Sequence, residues 1–559
     1  VKNDNALRKL IAHAKELTDI RLKWIPKFRE QRDYILPSHG YALDDEDATN
    51  LQDADDRGTL ILDNTAENAV NVLAAGLQSG MTSPASIWFK LQLADPGLMG
   101  YEPVKEWLSY VEKMMRDVLA KSNVYKSLHH TYLELATFST GAMAALEDYK
   151  NVVRFRPFTA GEYALAVNAE GQVDTFYREM RMTARQIVQK YGEKNVSEHV
   201  RSAYKGNRSE TEFVVCHMIE PSDMELGLET PMGKANRSVY WEKNARDGEI
   251  LRVSGFNSFP VMAPRWTVVG QQIYGRGPGE GNLADIKMLQ KMKEKYLIAV
   301  DKSIEPPMAA PGSMKGDQIN TMPGGVTYND EVDNKGLRPL YEMRLDLNAV
   351  QVAIQSTQGA IKEGFYNDLF KMLASLGDRQ RTAREIAERH EEKLLMLGPV
   401  LERLHGELLD PLIDRTYEFL ETAGLIPPPP PEMENIPVKP EYTSMLAQAQ
   451  KMVGSYAVQE TLNIAGQLAT VAGPSAFDVI DIDRTIRHVA DIKGVDPTLL
   501  RSPEEIAALR ESRAKAQQAQ AQTENMAQAA GAIKDLGNTP ADPNSALGVA
   551  LGALRNPSA

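Results

Sequence analysis

Apolar residues along the 559-residue chain recur with two periods, and the change from one to the other divides the sequence. Leu10, Ile11, Leu17, Ile20 and Leu22 mark a charged amphipathic helix within residues 1–36, closed by a Pro37–Gly40 turn. "NTAENAVNVLAAGL" (64–77) predicts a small-residue helix that Gly80 and Ser83-Pro84 stop; "WFKLQL" (88–93) predicts a strand, and 103–121 and 124–139 two more helices. The next stretch is strand-rich. "YALAV" and "VDTFYREM" flank "NAEG", which has the Asn and Gly of a hairpin turn. Thr183 and Gln186 form a capping box at the start of a short helix, and 213–220, 238–242 and 250–254 read as strands.

After residue 281 the texture changes to long helices. Leu283, Ile286, Leu289, Leu297 and Val300 fall in one sector of a helical wheel, and Lys287, Lys291, Lys295 and Lys302 lie opposite. Pro306-Pro307 ends that helix, and a Pro/Gly-rich excursion follows. A second helix then places Leu347, Val350, Ile354, Ile361, Phe365, Leu369 and Met372 three, four and seven apart. Thr382 and Glu385 make a further capping box. The helix they open extends to about 423, with kinks expected at Gly398-Pro399 and Pro411. "IPPPPPEMENIPVKP" predicts a stiff extended spacer. Helices are expected at 441–471, 481–492 and 502–535, with disorder beyond.

Composition narrows the classes of function. The 43% hydrophobic content is that of a globular chain, and no run approaches the ~18–20 apolar residues of a membrane span, so a soluble chain is expected. Cys216 is the single cysteine; it excludes an internal disulfide, fits a reducing compartment, and reads as a strand residue. A net charge of -13 argues against a general basic surface for gripping nucleic acid.

Catalytic and ligand-binding motifs are missing. "YGRGPGEGN" sets Gly275, Gly277, Gly279 and Gly281 before a helix, where a phosphate loop would sit. Their every-second-residue spacing fits neither G-x-G-x-x-G nor G-x-x-x-x-G-K-[ST], and Pro278 removes a backbone N–H. The expectation is a tight entry into a helix with Asn282 as N-cap. The acidic run after Gly40 departs from the calcium-loop pattern, since counting from Asp53 the fifth position is Arg57 and the twelfth Asn64. His129-His130 reads as a pair of ordinary helix residues, and no zincin, nucleophile-elbow or C-x-x-C motif occurs. No metal, no cofactor and no enzymatic activity is expected.

The order of parts resembles that of tailed-phage portal proteins. "AAGLQSGMTSPASIWFKL", "FSTGAMAALE", "FRPFTAGEYALAVNAEGQVDTFYREMRMTARQIVQKYG", "YGRGPGEGNLADIKMLQ" and "RQRTAREIAERHEEKLLMLGPVLERL" are similar to the head-to-tail connecting family of short-tailed phages, over roughly residues 70–425. The resemblance implies a mainly α fold with an α+β wing. Its parts would be the wing (1–280), first stem helix (281–302), clip (303–345), second stem helix (346–375) and tunnel loop (376–381). A long wing helix (382–425), the spacer (426–440), a helical crown (441–535) and a disordered tail (536–559) would follow. It further implies a homo-oligomeric ring, usually of twelve copies, at one capsid vertex of the virion. Double-stranded DNA would pass through it without sequence specificity. The partners implied are a terminase packaging motor, a tail adaptor, and the major capsid and scaffolding proteins; no membrane is involved.

On that resemblance the four glycines become the wing-to-stem joint, and Ile286, Leu289, Leu297, Ile354, Ile361 and Phe365 are expected to be covered by neighbouring subunits. Arg379 and Arg381 would form a basic collar in the tunnel loop. Lys287, Lys291 and Lys295 leave three readings open: lining the channel, facing capsid and tail proteins, or plain solvation. Two rival functions remain, a non-channel scaffold or tail-adaptor protein and a nucleotide-dependent enzyme. Of the three, only the portal reading requires a ring with a DNA-wide hole.

Overall fold

The computed structural model describes residues 4–44, 60–95, 97–222, 233–243, 250–304, 308–309, 338–339, 347–375, 396–433, 436–444 and 446, with 467, 481, 483–486, 501, 505–519 and 522 nearer the C-terminus. By internal contact the chain divides into two units, Val1–Tyr456 and Ala457–Ala559.

The N-terminal amphipathic run is two helices, α1 (Asp4–Leu22) and α2 (Ile25–Ile35). Pro26 sits in the first turn of α2, where its missing N–H costs no helical hydrogen bond. The buried stripe of α1 is Ala6, Leu7, Leu10, Ala14 and Leu17, while Ile11 and Leu22 are exposed. Helix α3 (Thr65–Met81) is the axis of the largest core, with Ala69, Val70, Leu73, Ala74 and Leu77 wholly buried. Strand β1 (Phe89–Leu93) and helices α4 (Glu102–Lys121) and α5 (Val124–Phe138) follow as the sequence predicts.

Strands β2 (Ala142–Asp148) and β3 (Val152–Phe158) lead into the hairpin of β4 (Tyr163–Val167) and β5 (Val173–Thr183). Its turn is built as expected: Asn168 Oδ1 accepts from the N–H groups of Glu170 and Gln172, and Gly171 takes the left-handed conformation, φ 80°. Helix α6 (Ala184–Tyr191) opens with both hydrogen bonds of the Thr183–Gln186 capping box. Helix α7 (Glu198–Lys205) precedes β6 (Glu212–Pro221), β7 (Asn236–Glu242) and β8 (Ile250–Phe256), which complete a five-stranded antiparallel sheet in the order β4-β5-β6-β7-β8. Cys216 lies in β6 as expected, and burial pushes its thiol up to about 12. Strand β9 (Val261–Met262) joins β2 and β3 in a second sheet.

The long helices depart from expectation in three places. A one-turn α8 (Pro278–Gly281) precedes α9 (Leu283–Ile304); Asn282 closes the first, and its side-chain amide donates to Pro278 O instead of capping α9. The residues between carry a two-stranded pair, β10 (Met308–Ala309) with β11 (Arg338–Pro339). The expected second stem helix is broken into α10 (Leu347–Gly364) and α11 (Asn367–Ser375). Tyr366 between them is left-handed, φ 56°, which ends one helix and re-aims the next so that Phe370 packs on Gly76 of α3. Helix α12 (396–404) passes through a π-turn, His405–Leu409, into α13 (Asp410–Thr422). That is the kink expected from Pro411: it has no N–H for the carbonyl of Glu407, and its ring crowds that carbonyl, so the chain widens by one residue.

The proline-rich spacer ends in a strand. β12 (Val438–Tyr442) pairs antiparallel with β1, Pro440 opposite Leu91, so residues 441–442 are not helical. Pro440 is tolerated because, among the described residues, β12 is an edge strand of a two-stranded sheet. In the second unit residues 505–519 are helical, and Arg510 makes a two-toothed ion pair with Asp483 at 2.6 and 2.7 Å.

Candidate functional site

The joint between the mixed region and α9 is held by close approach. Gly275 donates its N–H to Thr140 Oγ1 at 2.8 Å, and Arg276 and Thr267 exchange backbone hydrogen bonds. An added Cβ would stand 2.3 Å from Ser139 O at Gly275, 2.8 Å from the Trp266 ring at Gly277 and 2.0 Å from Thr137 O at Gly279. None of the three has positive φ, so glycine is required there for space between backbones and not for a left-handed turn. Gly281 meets nothing within 4 Å. Glu280 anchors the joint through Arg276 at 2.6 Å and through Lys27 of α2.

Beyond the joint α9 and α10 pack against each other and share one polar anchor. Gln290 Oε1 accepts from the N–H groups of Leu62 and Asp63 at 2.7 and 2.9 Å, and its amide donates to Asp63 O at 2.8 Å. The Asp63 carboxylate accepts from Gln358 Nε2 of α10 at 2.7 Å and pairs with Lys293 of α9 at 3.4 Å. Burial would raise its pKa, but hydrogen bonds from Thr65, Gln358 and Lys293 outweigh that and hold it below the usual range.

The apolar stripe is covered differently from expectation. Ile286, Leu289, Ile354, Ile361 and Phe365 lie in the core of their own chain, between 0% and 4% exposed, together with Leu73, Leu77, Leu401 and Leu404. Of the six expected subunit-interface positions only Leu297 is open, at 48%. Among the described residues the large exposed apolar side chains of the pair are instead Met288, Leu297, Ile298 and Ile304 of α9 with Val352 of α10. Periodicity identifies an apolar face; α3 and α12 lie far away in sequence, so it does not reveal what covers that face.

The lysine stripe does not act as one surface. Lys287 pairs with Glu30 at 2.8 Å and lies 5.4 Å over the Tyr34 ring, both on α2. Lys291 pairs along its own helix with Glu294 at 2.7 Å, and Lys295 is exposed with no ion pair among the described residues. Arg379 and Arg381, with the whole expected tunnel loop, lie outside the described residues, as does most of 303–345.

Two further clusters were not legible in the sequence. The π-turn delivers Glu407 to Arg265, which is 1% exposed and binds it through Nη2 at 2.6 Å, Nε at 3.2 Å and its backbone N–H at 2.9 Å; Arg403 adds a contact at 2.8 Å. The loop after α2 brings His39 beside His130 and Glu134 of α5, with one donor atom from each inside 4.8 Å. Glu134 is already engaged by His39 Nδ1 at 2.7 Å, Thr159 Oγ1 at 2.7 Å and Ala160 N at 2.8 Å. The two imidazoles are stacked at 4.7 Å, so their in-plane lone pairs run side by side instead of converging on a shared ion. The cluster is a hydrogen-bonded buried carboxylate that fastens the α2 loop to α5.

Residues 7–500 match the family described as bacteriophage head to tail connecting protein. The chain is 40% identical over 543 residues to the probable portal protein of Bordetella phage BPP-1, covering 96% of each. It is 39% identical over 550 residues to the portal protein of Salmonella phage epsilon15, covering 98% of this chain and 97% of that one. A chain in the neck of an empty gene transfer agent particle aligns over 74% of this chain and 87% of its own, with 12% identity and a TM-score of 0.32.

Proposed function

Because the chain belongs to the bacteriophage head-to-tail connecting protein family, we propose that it is a portal protein, the head-to-tail connector through which the phage genome is packaged and later ejected. The observation that carries this reading is the ~40% identity, over nearly the whole of both chains, to proteins named as portals in two phages. A scaffold or adaptor without a channel has no comparable support. The glycine cluster, the sole basis for a nucleotide enzyme, is explained by backbone packing at the joint.

In this reading residues 1–280 with α12 and α13 form the wing, α9 with α10 and α11 the stem, 303–345 the clip and the residues from the end of β12 to 535 the crown. A closed ring of about twelve copies stands at one capsid vertex, its repeated contact heterologous. The open apolar positions of α9 and α10 are the natural subunit contact, since the rest of the stripe is already covered. The clip docks the terminase motor and later the tail adaptor, and the outer wing meets capsid and scaffolding proteins. A chain of net charge -13 suits a conduit, because a mostly negative wall would leave few phosphate contacts to break as DNA slides. Arg379 and Arg381 would be the exception, a collar that touches phosphates transiently and resists backward slippage.

Native mass measurement and negative-stain imaging of the purified chain test the main claim: rings with a duplex-wide hole are expected, and a chain that stays monomeric under all assembly conditions would overturn it. For the collar, Arg379→Ala/Arg381→Ala particles should assemble and package but lose DNA faster. Retention equal to wild type across salt concentrations removes the collar and leaves the portal.

A further inference from the structure

The five-stranded sheet carries an unbroken cross-strand row. Tyr163 of β4 stands opposite Arg178 of β5, Arg178 opposite His217 of β6, His217 opposite Tyr240 of β7, and Tyr240 opposite Arg252 of β8. Directly opposed residues share a face, so all five point to one side of the sheet. The other side is covered by α1, through Leu7, Leu10 and Leu17 on Tyr177, Met218 and Val239. On the row's own side there are apolar clusters to left and right, one around Phe158, Phe176 and Ile219 and one around Ile187, Val200 and Val215. The row is thus a polar trough between two apolar walls.

Its charge is only partly compensated. Arg178 forms the floor at 4% exposure; its guanidinium lies 4.9 Å over the Phe158 ring, and its Nε is 3.4 Å from His217 Nδ1. Its Nη1 is buried with no acceptor, and so is the Tyr191 hydroxyl at the end of α6. Lys190 sits 5.1 Å over the Tyr240 ring and 5.2 Å over the Tyr191 ring, and Arg156 rims the opposite wall. Glu162 lies 3.5 Å from Arg156, and Glu242, on the same face two residues after Tyr240, is engaged by Ser197 N and Oγ; among the described residues neither Lys190 nor Arg252 has an acidic partner. His217 adds no charge: burial first, and then Arg178, Lys190 and Arg156, hold it neutral, stacked on Tyr240 at 3.8 Å. Burial, Arg178, Arg156 and Arg252 together push Lys190 down to about 8. A buried arginine with an unused N–H and three cations around it is a costly arrangement unless an anion completes it.

Resting on the portal reading, we propose that this trough is a subunit-contact site that receives the carboxylates of an extended acidic segment from a second copy of the same chain. Arg178 and Arg252 are three strands apart, ~14 Å, too far for one oxyanion to bridge. Alternate side chains of an extended segment, ~7 Å apart, place two carboxylates within that span. The net charge of -13 makes a second copy the matching source, and a ring repeats the same basic trough against the same acidic surface around its circumference. Nucleic acid phosphates suit it less, because Arg178 is recessed between apolar walls where a convex duplex cannot reach.

The test uses full-length rings assembled from equal parts of light and 15N-labelled chain and treated with a carbodiimide. A zero-length cross-link between Lys190 of one isotope and an Asp or Glu of the other is expected. Lys190→Glu/Arg252→Glu, two exposed positions, should keep the monomer's circular dichroism without lowering its melting temperature, raise the concentration for half-assembly at least roughly tenfold, and flatten its salt dependence. Cross-links confined to one copy, or variant rings that form as wild type does, overturn the proposal while leaving the portal reading intact. Rings that form normally but bind a labelled duplex less well assign the trough to phosphates and also overturn it. A wild-type chain that makes no ring removes both.

Discussion

Gly279 lies directly against the backbone carbonyl of Thr137, so that a Cβ at this position would stand 2.0 Å from the oxygen. Neither partner can yield without moving α5 or the turn that feeds α9. Gly279→Ala should therefore destabilise the chain by about 1–3 kcal/mol, as overpacking does, whereas Gly281→Ala, with nothing within 4 Å, should stay within about 0.5 kcal/mol. Denaturant titration of the two variants checks this; equal effects would refute the packing account.

Burial separates folding positions from assembly positions on the helix pair. Leu297→Asp alters an exposed residue and should leave the fold intact while weakening ring formation. Ile361→Asp places a charge where exposure is 0% and should cost more than ~4 kcal/mol, abolishing the folded monomer itself. Circular dichroism beside mass photometry distinguishes the two outcomes.

The salt link at the π-turn is a structural lock. Glu407→Ala leaves Arg265, 1% exposed, without its carboxylate, and should destabilise by about 2–4 kcal/mol. Glu407 itself is 20% exposed, which places the expected cost below that of a fully buried pair. Arg403→Ala, on the more open side of the same carboxylate, should cost under ~1 kcal/mol. A reversed order in thermal unfolding would contradict the assignment.

Docking of α1 on the sheet should depend on pH through His13 and Glu220, 2.9 Å apart. The hydrogen bond to Glu220, opposed by burial, raises His13 above its ordinary 6.5. That contribution is fully present below 6.5 and is lost as pH rises through the raised value. Burial would raise Glu220, but His13 and Arg237 outweigh it and hold it below its ordinary 4.5, so its contribution is present above 4.5 and lost as pH falls through the lowered value. Hydrogen-exchange protection of residues 4–22 should peak between pH 4.5 and 6.5, and His13→Ala should remove the decline on the alkaline side. His13 is 37% exposed, so the change should be well under ~1 kcal/mol.

Local chemistry accounts for what the sequence determined by itself. Helices α3, α4 and α5, the Asn168–Gly171 turn, the Thr183 capping box and the kink near Pro411 each depend on residues within a few positions of one another, and each stands where the periodicity and turn residues put it. Five separated segments in a fixed order were likewise enough to reach the family, which the match over residues 7–500 bears out. What only the tertiary structure decided depends on partners far away in the chain. Ile286 and Phe365 read as one face of a helix pair, but α3 and α12 cover them. The glycines read as a sharp turn, but Ser139, Trp266 and Thr137 make them a packing requirement. The continuous helix expected over 346–375 breaks at Tyr366, where the seating of Phe370 on Gly76 outweighs the local pattern. Arg178, Tyr240 and Arg252 lie in unrelated stretches of sequence, and they form one row because strand register, set by the burial of whole faces, aligns them.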